Sequence, residues 1–217
     1  MAIQIGRDPW ILIGLTSLEI LFVLLPAFIA GKIEKKGIRE ELIEMGFKKN
    51  QDSLIANLLE IFAGIGIGIL LFATGGYIIY FFRDIVVKLI FGASFVQHGD
   101  AGAISSKPIQ PSIIQVIIII ILQFLIIGIC EEAFFRAFLI NKFKNKMRLR
   151  YAIIFSSIFF TLYHVPPFLV PIATMITFFG YYFSIGLLLS YLFMYFDYSI
   201  IPVSIAHSLF NILIIIL

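Results

Sequence analysis

Charge and cysteine are what this chain has least of. Only 13% of its 217 residues are Asp, Glu, Lys or Arg, about half the share of a soluble domain, which excludes an ordinary water-facing surface over most of its length. A single cysteine, Cys130, excludes an internal disulfide and any paired-cysteine metal site. Its neighbours Glu131 and Glu132 are acidic, whereas a nucleophilic thiol needs an electropositive setting. Cys130 therefore reads as a small apolar residue. No basic stripe interleaved with aromatics is present, so nucleic acid is not an expected partner.

What fills the chain instead is apolar side chains, 61% of the total, with a mean hydropathy of +1.06. That composition belongs to a polytopic membrane protein, with the lipid bilayer as its first partner. Runs long enough to cross about 30 Å of hydrocarbon are Pro9–Ala30, Ser53–Phe82, Ser112–Ile140, Tyr151–Val165, Pro171–Phe196 and Ser199–Leu217. The first, with Asp8 beside Arg7 and no small-residue cleavage pattern, is expected to be a retained helix rather than a signal peptide. Arg83–Phe95 reads as an interfacial amphipathic piece leading into a polar loop, Gln97–Pro111. In Lys32–Asp52 the residues Ile38, Leu42, Ile43 and Phe47 give one apolar face, so an interfacial helix with a solvated charged face is expected there.

The fold class that follows is an all-α, polytopic membrane helix bundle of about six transmembrane helices plus interfacial amphipathic helices. Residues 1–111 read as an N-terminal two-helix region with its interfacial loop, and 112–217 as a four-helix core. Lysine and arginine number six in Lys32–Asp52, three in Arg83–Pro111, five in Asn141–Arg150 and none in Pro166–Pro171. The positive-inside rule then predicts a multi-pass protein of the cell membrane with both termini outside and the first and third connections in the cytoplasm.

Against this apolar background a few polar residues stand out. Glu131 and Glu132 are adjacent in a long apolar run, and a carboxylate at membrane depth costs roughly 2.5–3.5 kcal/mol on insertion scales. At 1.5 Å per residue, Glu131 lies about 15 Å in from Asn141, His164 about 20 Å from Tyr151, His207 about 12 Å and Asn211 about 18 Å from Ser199. Three segments thus carry polar side chains to comparable depth. His207 and Asn211 share a helix face, and Glu132 and Arg136 are spaced for an ion pair. Glu131 points roughly 100° away from Glu132, so Glu132–Arg136 is assigned to structure and local field, and Glu131 to chemistry. Glu19 and Glu60, also in apolar runs, are expected to pair elsewhere, and His98 to be solvated.

A carboxylate beside histidines can activate water, and a histidine N–H with an asparagine amide can hold the oxyanion of a tetrahedral intermediate. The set is coherent as a peptide hydrolase: Glu131 as base, His164 orienting the water, His207 with Asn211 at the oxyanion, and Glu132 and Arg136 in support. No cofactor is called for. Glu131, His164 and His207 also make a zinc-compatible His₂Glu set. The absence of a His-Glu-x-x-His helix and the suitability of Asn211 for an oxyanion favour a site without metal. Acid–histidine sets in apolar helices also serve proton relays, and a non-enzymatic membrane protein of the immunity type could carry the same fold. The paired interrupted helices of many transporters have no counterpart beyond the Gly64–Gly76 region.

Glu131-Glu132-Ala-Phe-Phe-Arg136, Phe160-Thr-Leu-Tyr-His164 and His207-Ser-Leu-Phe-Asn211 follow one another in the order of the EExxxR, FxxxH and HxxxN motifs. In this the chain, over about Ser112 to Leu217, resembles the CAAX-processing endopeptidases and bacteriocin-processing proteins, the membrane group that includes the Ras-converting CAAX protease. The resemblance implies an all-helical intramembrane glutamate protease, with Glu131, His164, His207 and Asn211 as catalytic residues. It implies as substrate a membrane-bound peptide or lipidated protein, in the eukaryotic branch a prenylated CAAX C-terminus.

Overall fold

A computed structural model describes residues 8–47, 53–104 and 109–217. The apolar runs fold as helices whose ends are marked by short polar residues, and no strand occurs among the described residues. Asp8 caps α1 (Pro9–Leu18) by accepting from the amides of Trp10 and Ile11, with Pro9 at the first helical position, where its missing N–H costs nothing. The chain breaks at Glu19–Ile20 and resumes as α2 (Leu21–Glu34). A short α3 (Ile38–Glu44) follows. The long α4 (Leu54–Phe91) is capped by Ser53, and α5 spans Ala93–Ala101. Ser112 and Gln115 form a capping box at the start of α6 (Ile113–Lys144). The remaining helices are α7 (Leu149–His164), α8 (Ile172–Tyr195) and α9 (Ile200–Ile216).

The all-α membrane bundle is as expected, with a more exact count. Pro9–Glu34, α4, α6 and α8 are long and apolar enough to cross a membrane, and α9 is a shorter apolar helix. Three boundaries differ from the sequence reading. The second span does not stop at Phe82: helix continues through a wide π-type stretch, Tyr80–Val87, to Phe91, so of the segment Arg83–Phe95 read as separate and interfacial, Arg83–Phe91 is the end of α4 and the last three residues open α5. Gly92, at φ +86°, makes the break that a residue with a Cβ resists. The first third of the segment read as a polar loop, Gln97–Ala101, belongs to α5, which buries Val96 and Gly99, with Thr174 of α8 donating to the Gly99 carbonyl at 2.7 Å. His98 accordingly sits on a helix, exposed, its Nδ1 on the Ser94 carbonyl.

Small residues set the central crossing. A Cβ on Gly64 would stand 2.7 Å from the Pro202 carbonyl oxygen, and one on Gly68 2.9 Å from that of Ala206, so α4 meets α9 nearly backbone to backbone. On the other side of α9, a Cβ on Gly128 of α6 would strike Ser208 and approach the Ser204 carbonyl. Ser208 donates to the Gln123 carbonyl at 2.9 Å. Helix α9 is thus held between two glycine faces. Glu60 of α4 accepts from Ser199 Oγ at 2.8 Å, which supplies the partner expected for it. Helix α7 is fixed to α6 by Ser156 Oγ, which donates to the Phe135 carbonyl.

The first connection is more than a solvated charged face. Lys142, at the end of α6, lies 2.7 Å from Glu34, 2.8 Å from Glu41 and 3.2 Å from Glu44. Lys36 pairs with Glu44 at 2.6 Å and Glu34 at 2.9 Å. Glu41 and Met45 are fully buried. The sequence reading took these charges for independent surface groups because it had no means of bringing Lys142 to them. Lys48 and Lys49 lie outside the described residues.

The network yields two expectations. Replacing Lys142 with methionine strips the buried Glu41 of its closest cation, and loss of one partner of a buried pair costs about 3 kcal/mol; K142M should melt well below the native protein in detergent. Hydrogen bonding to Glu34 and Glu44 raises the Lys36 ammonium above its ordinary value, and the Lys36 hydrogen bond holds the Glu44 carboxyl below its ordinary range against the opposing effect of burial. The Glu44 contribution is complete above the unfolded value of about 4.3 and is lost as pH falls through the depressed folded value; that of Lys36 is complete below about 10.4 and is lost only at higher, alkaline pH. The melting temperature of E44Q should therefore be lower than native at neutral pH, and the gap should close in acid.

Candidate active site

Helix α6 does not run as a uniform α-helix. Gly128–Glu132 is α-helical, but π-type turns flank it at Gln123–Ile127 and Ala133–Ile140. Each wide turn adds backbone and rotates the side chains that follow, a feature frequent at functional sites. The two adjacent glutamates face different neighbours. Glu132 Oε1 receives Arg136 Nη1 at 3.0 Å and His207 Nδ1 at 2.7 Å. Glu131 turns to a cavity, with its Oε2 4.0 Å from His207 Nε2. Glu132 and Arg136 have no exposed surface, and Glu131 is 3% exposed.

The guanidinium of Arg136 lies over the Phe160 ring at 4.3 Å, a cation–π contact that is strong when desolvated. The same ring packs against His164, centroid to centroid 4.3 Å, and edge-on to His207 at 5.8 Å. The aromatic residue of the FxxxH pattern thus holds three site residues apart at fixed distances. His164 ends α7, just before the Pro166-Pro167 turn, and its Nδ1 donates to the Phe160 carbonyl at 3.0 Å. With that proton committed, Nε2 of the neutral ring is left as an acceptor. For His207 the carboxylate of Glu132 is an acceptor, so Nδ1–H donates and Nε2 is the ring atom that faces Glu131.

All four residues predicted as catalytic, Glu131, His164, His207 and Asn211, line one cavity of about 720 Å³, while Glu132 and Arg136 stand behind it. The ligand-capable atoms of Glu131, His164 and His207 lie within 4.8 Å of one another. A tetrahedral zinc with bonds of 2.0–2.1 Å would draw such atoms to about 3.4 Å; the Glu131–His207 gap of 4.0 Å is wider. The three could hold a metal after a small inward movement, and both histidines already donate their other ring nitrogen as metal-bound histidines do. Asn211, half-buried, is one turn beyond His207 on the same face of α9.

Two cavity residues were not placed there by the sequence reading: Tyr163, which it did not single out, and Glu19, which it expected to pair elsewhere. Glu19, at the break between α1 and α2, accepts from the Tyr163 hydroxyl at 3.1 Å and faces the Glu131 carboxyl. Its position in an apolar run was a signal, but nothing in the spacing said which helix it meets. Tyr163 was hidden as the variable letter before His164. The Glu132–His207 hydrogen bond was likewise out of reach of periodicity.

The helices and this interior set define a membrane protein that keeps a carboxylate, two imidazoles and an amide around one cavity. Residues 113–213, the segment that carries all three motifs, match the family model described as type II CAAX prenyl endopeptidase, Rce1-like. Helices α1 to α5, and Glu19 with them, lie outside the match. No curated protein and no solved structure matches the chain significantly.

Because Arg136 is wholly buried, E132Q should destabilise the fold by about 3 kcal/mol through an uncompensated cation. The double variant E132Q/R136M should recover much of that loss in thermal unfolding, since both charges are then gone.

Proposed function

We propose that this protein is an intramembrane endopeptidase that hydrolyses a peptide bond of a membrane-associated substrate with water activated by Glu131 and His164. The observation that carries this reading is the convergence of Glu131, His164, His207 and Asn211 on one cavity within the segment matched to the CAAX prenyl endopeptidases. In this reading Glu131 removes a proton from a water held by His164 Nε2, and the water oxygen forms a bond to the scissile carbonyl carbon. The carbonyl π electrons move to oxygen, and that oxyanion is met by Asn211 Nδ2 and by Nε2–H of the doubly protonated His207, whose charge Glu132 offsets. Collapse reforms the C=O bond, breaks the C–N bond, and passes the proton from Glu131 to the departing amine. Preorganised donors of this kind typically supply the largest single part of such a rate enhancement.

The substrate class follows the family description: a peptide carrying a lipid, with a prenylated CAAX C-terminus as the first probe. We infer from the positive-inside rule that Asn141–Arg150 is cytoplasmic. Ile104, Pro166 and Leu169, at the opposite end of the bundle, line the cavity, so this orientation calls for a substrate that reaches the site from the outer half of the membrane. In a C130S chain, K146C and L169C should label from opposite sides with an impermeant thiol reagent, Leu169→Cys from outside; labelling in the reverse sense would give the cavity a cytoplasmic mouth.

Purified protein should cleave a farnesylated CAAX peptide in detergent, where both faces are accessible, and E131Q should not. N211A should lower kcat by about 10²–10³-fold. A zinc reading is favoured by the close approach of Glu131, His164 and His207, and activity abolished by a strong chelator and restored by zinc would establish it over the metal-free mechanism. Retained activity in a folded E131Q would overturn both.

A further inference from the structure

The cavity that holds Glu131 has a smaller neighbour of about 70 Å³. It lies between the C-terminal ends of α5 and α7 and the first half of α8, where Ala103, Val170, Thr174 and Phe178 line it without lining the larger one. Ile104, His164 and Tyr182 line both, so His164 is a wall of two compartments. Its ring packs against Phe160 at 4.3 Å and against Tyr182 at 4.7 Å, with Tyr163 edge-on at 5.2 Å. Glycines bring the end of α5 close to α8 here: a Cβ on Gly99 would strike Thr177, and one on Gly102 would strike Thr174. Thr174 gives its proton to the Gly99 carbonyl, which leaves its oxygen free to accept. The Tyr182 hydroxyl can both donate and accept, and no protein group engages it among the described residues.

A buried water needs about 10–15 Å³ of space and roughly two to four polar partners. The smaller cavity meets both conditions, with Thr174, Tyr182 and His164 around it. Ile104 is exposed and Ala103 half-buried, which puts its outer rim at the surface. Hydrolysis consumes one water for each bond cut. A substrate seated in the larger cavity, among such apolar residues as Leu12, Leu15, Ile214 and Ile215, expels solvent from it and covers the approach past Pro166 and Leu169. Resting on the endopeptidase reading, we propose that the smaller cavity is a water-binding site that supplies the hydrolytic water to His164 while substrate fills the larger one, with Tyr182 as the positioning residue that keeps the two apart. The water passes along the His164 ring to the side of Glu131, and neither proton nor charge moves on the way.

The test uses the full chain in detergent, the farnesylated CAAX peptide, and the variants A103L, V170L, A103S and Y182F. Both leucine substitutions add apolar bulk to the smaller cavity from positions that do not line the larger, whereas A103S leaves it open. A103L and V170L should each lower kcat about tenfold with KM nearly unchanged, the pattern of a loss in the chemical step rather than in substrate binding. A103S should stay near native, and Y182F, which keeps the ring and loses the hydroxyl, should fall between. Water is read without turnover by X-ray radiolysis, in which hydroxyl radicals formed from bound water oxidise the side chains beside it. In oxygen-18 water the native protein should take up label on Phe178, and A103L and V170L should lose it. Native kcat in both leucine variants would overturn the proposal, as would a Phe178 label that is absent from the native protein or survives in both. A purely structural role would lower the melting temperature in step with kcat and leave the label in place. If the native protein cleaves nothing, the endopeptidase reading fails for this substrate, while the Phe178 label still decides whether the smaller cavity holds water.

Discussion

The carboxylate of Glu132 is the interaction on which the rest of the interior depends. Arg136 would be intolerable without it, since a wholly buried guanidinium needs a counter-charge, and His207 owes its ring orientation to the same oxygen. One atom, Glu132 Oε1, therefore joins α6 to α9. The surrounding sterics make the join possible: Gly128 lets α9 come close enough on one side, and Gly64 and Gly68 let α4 press it from the other. Phe160 completes the arrangement by stacking under Arg136 while touching both histidines. The polar residues behind the cavity are thus a frame for those that line it.

The opposite end of α6 is held by a different kind of contact. Lys142 reaches Glu34, Glu41 and Glu44 on the N-terminal part of the chain, and Asn141 donates to the Glu44 carbonyl. The N-terminal helices and the motif-bearing helix are therefore tied where the chain leaves the apolar region. The same helix is anchored by an ion network at its end and by a shared carboxylate near its middle.

Much of this was legible in the sequence, and for physical reasons. Carboxylates and histidines are costly in apolar runs, so Glu131, Glu132, His164 and His207 announced themselves, and helical rise alone put them at one depth. Spacing of four gave the Glu132–Arg136 pair and the common face of His207 and Asn211. What spacing could not give was the partner across helices. Glu19 was noticed but not located, the Glu132–His207 hydrogen bond was not foreseen, and the charges around Glu41 were taken for a solvated face although Glu41 is fully buried. The boundary at Phe82 failed for a related reason: Arg83, Asp84 and Lys88 read as an interface, yet Arg83 is paired with Asp84 and Asp100, which lets the helix continue.

The wide turns on either side of Gly128–Glu132 bear on how such a site tolerates change. An ordinary helix transmits rotation rigidly, so a residue inserted at one end swings every side chain beyond it by about 100°. Here the five residues that carry the two glutamates are separated from both ends of their helix by stretches with slack in the hydrogen-bond ladder. Each stretch can gain or give up its extra residue and absorb a rotation locally. The orientation of Glu131 and Glu132 is in this sense geared separately from the ends of the helix, which leaves the ends open to divergence in length and loop while the centre keeps its aim.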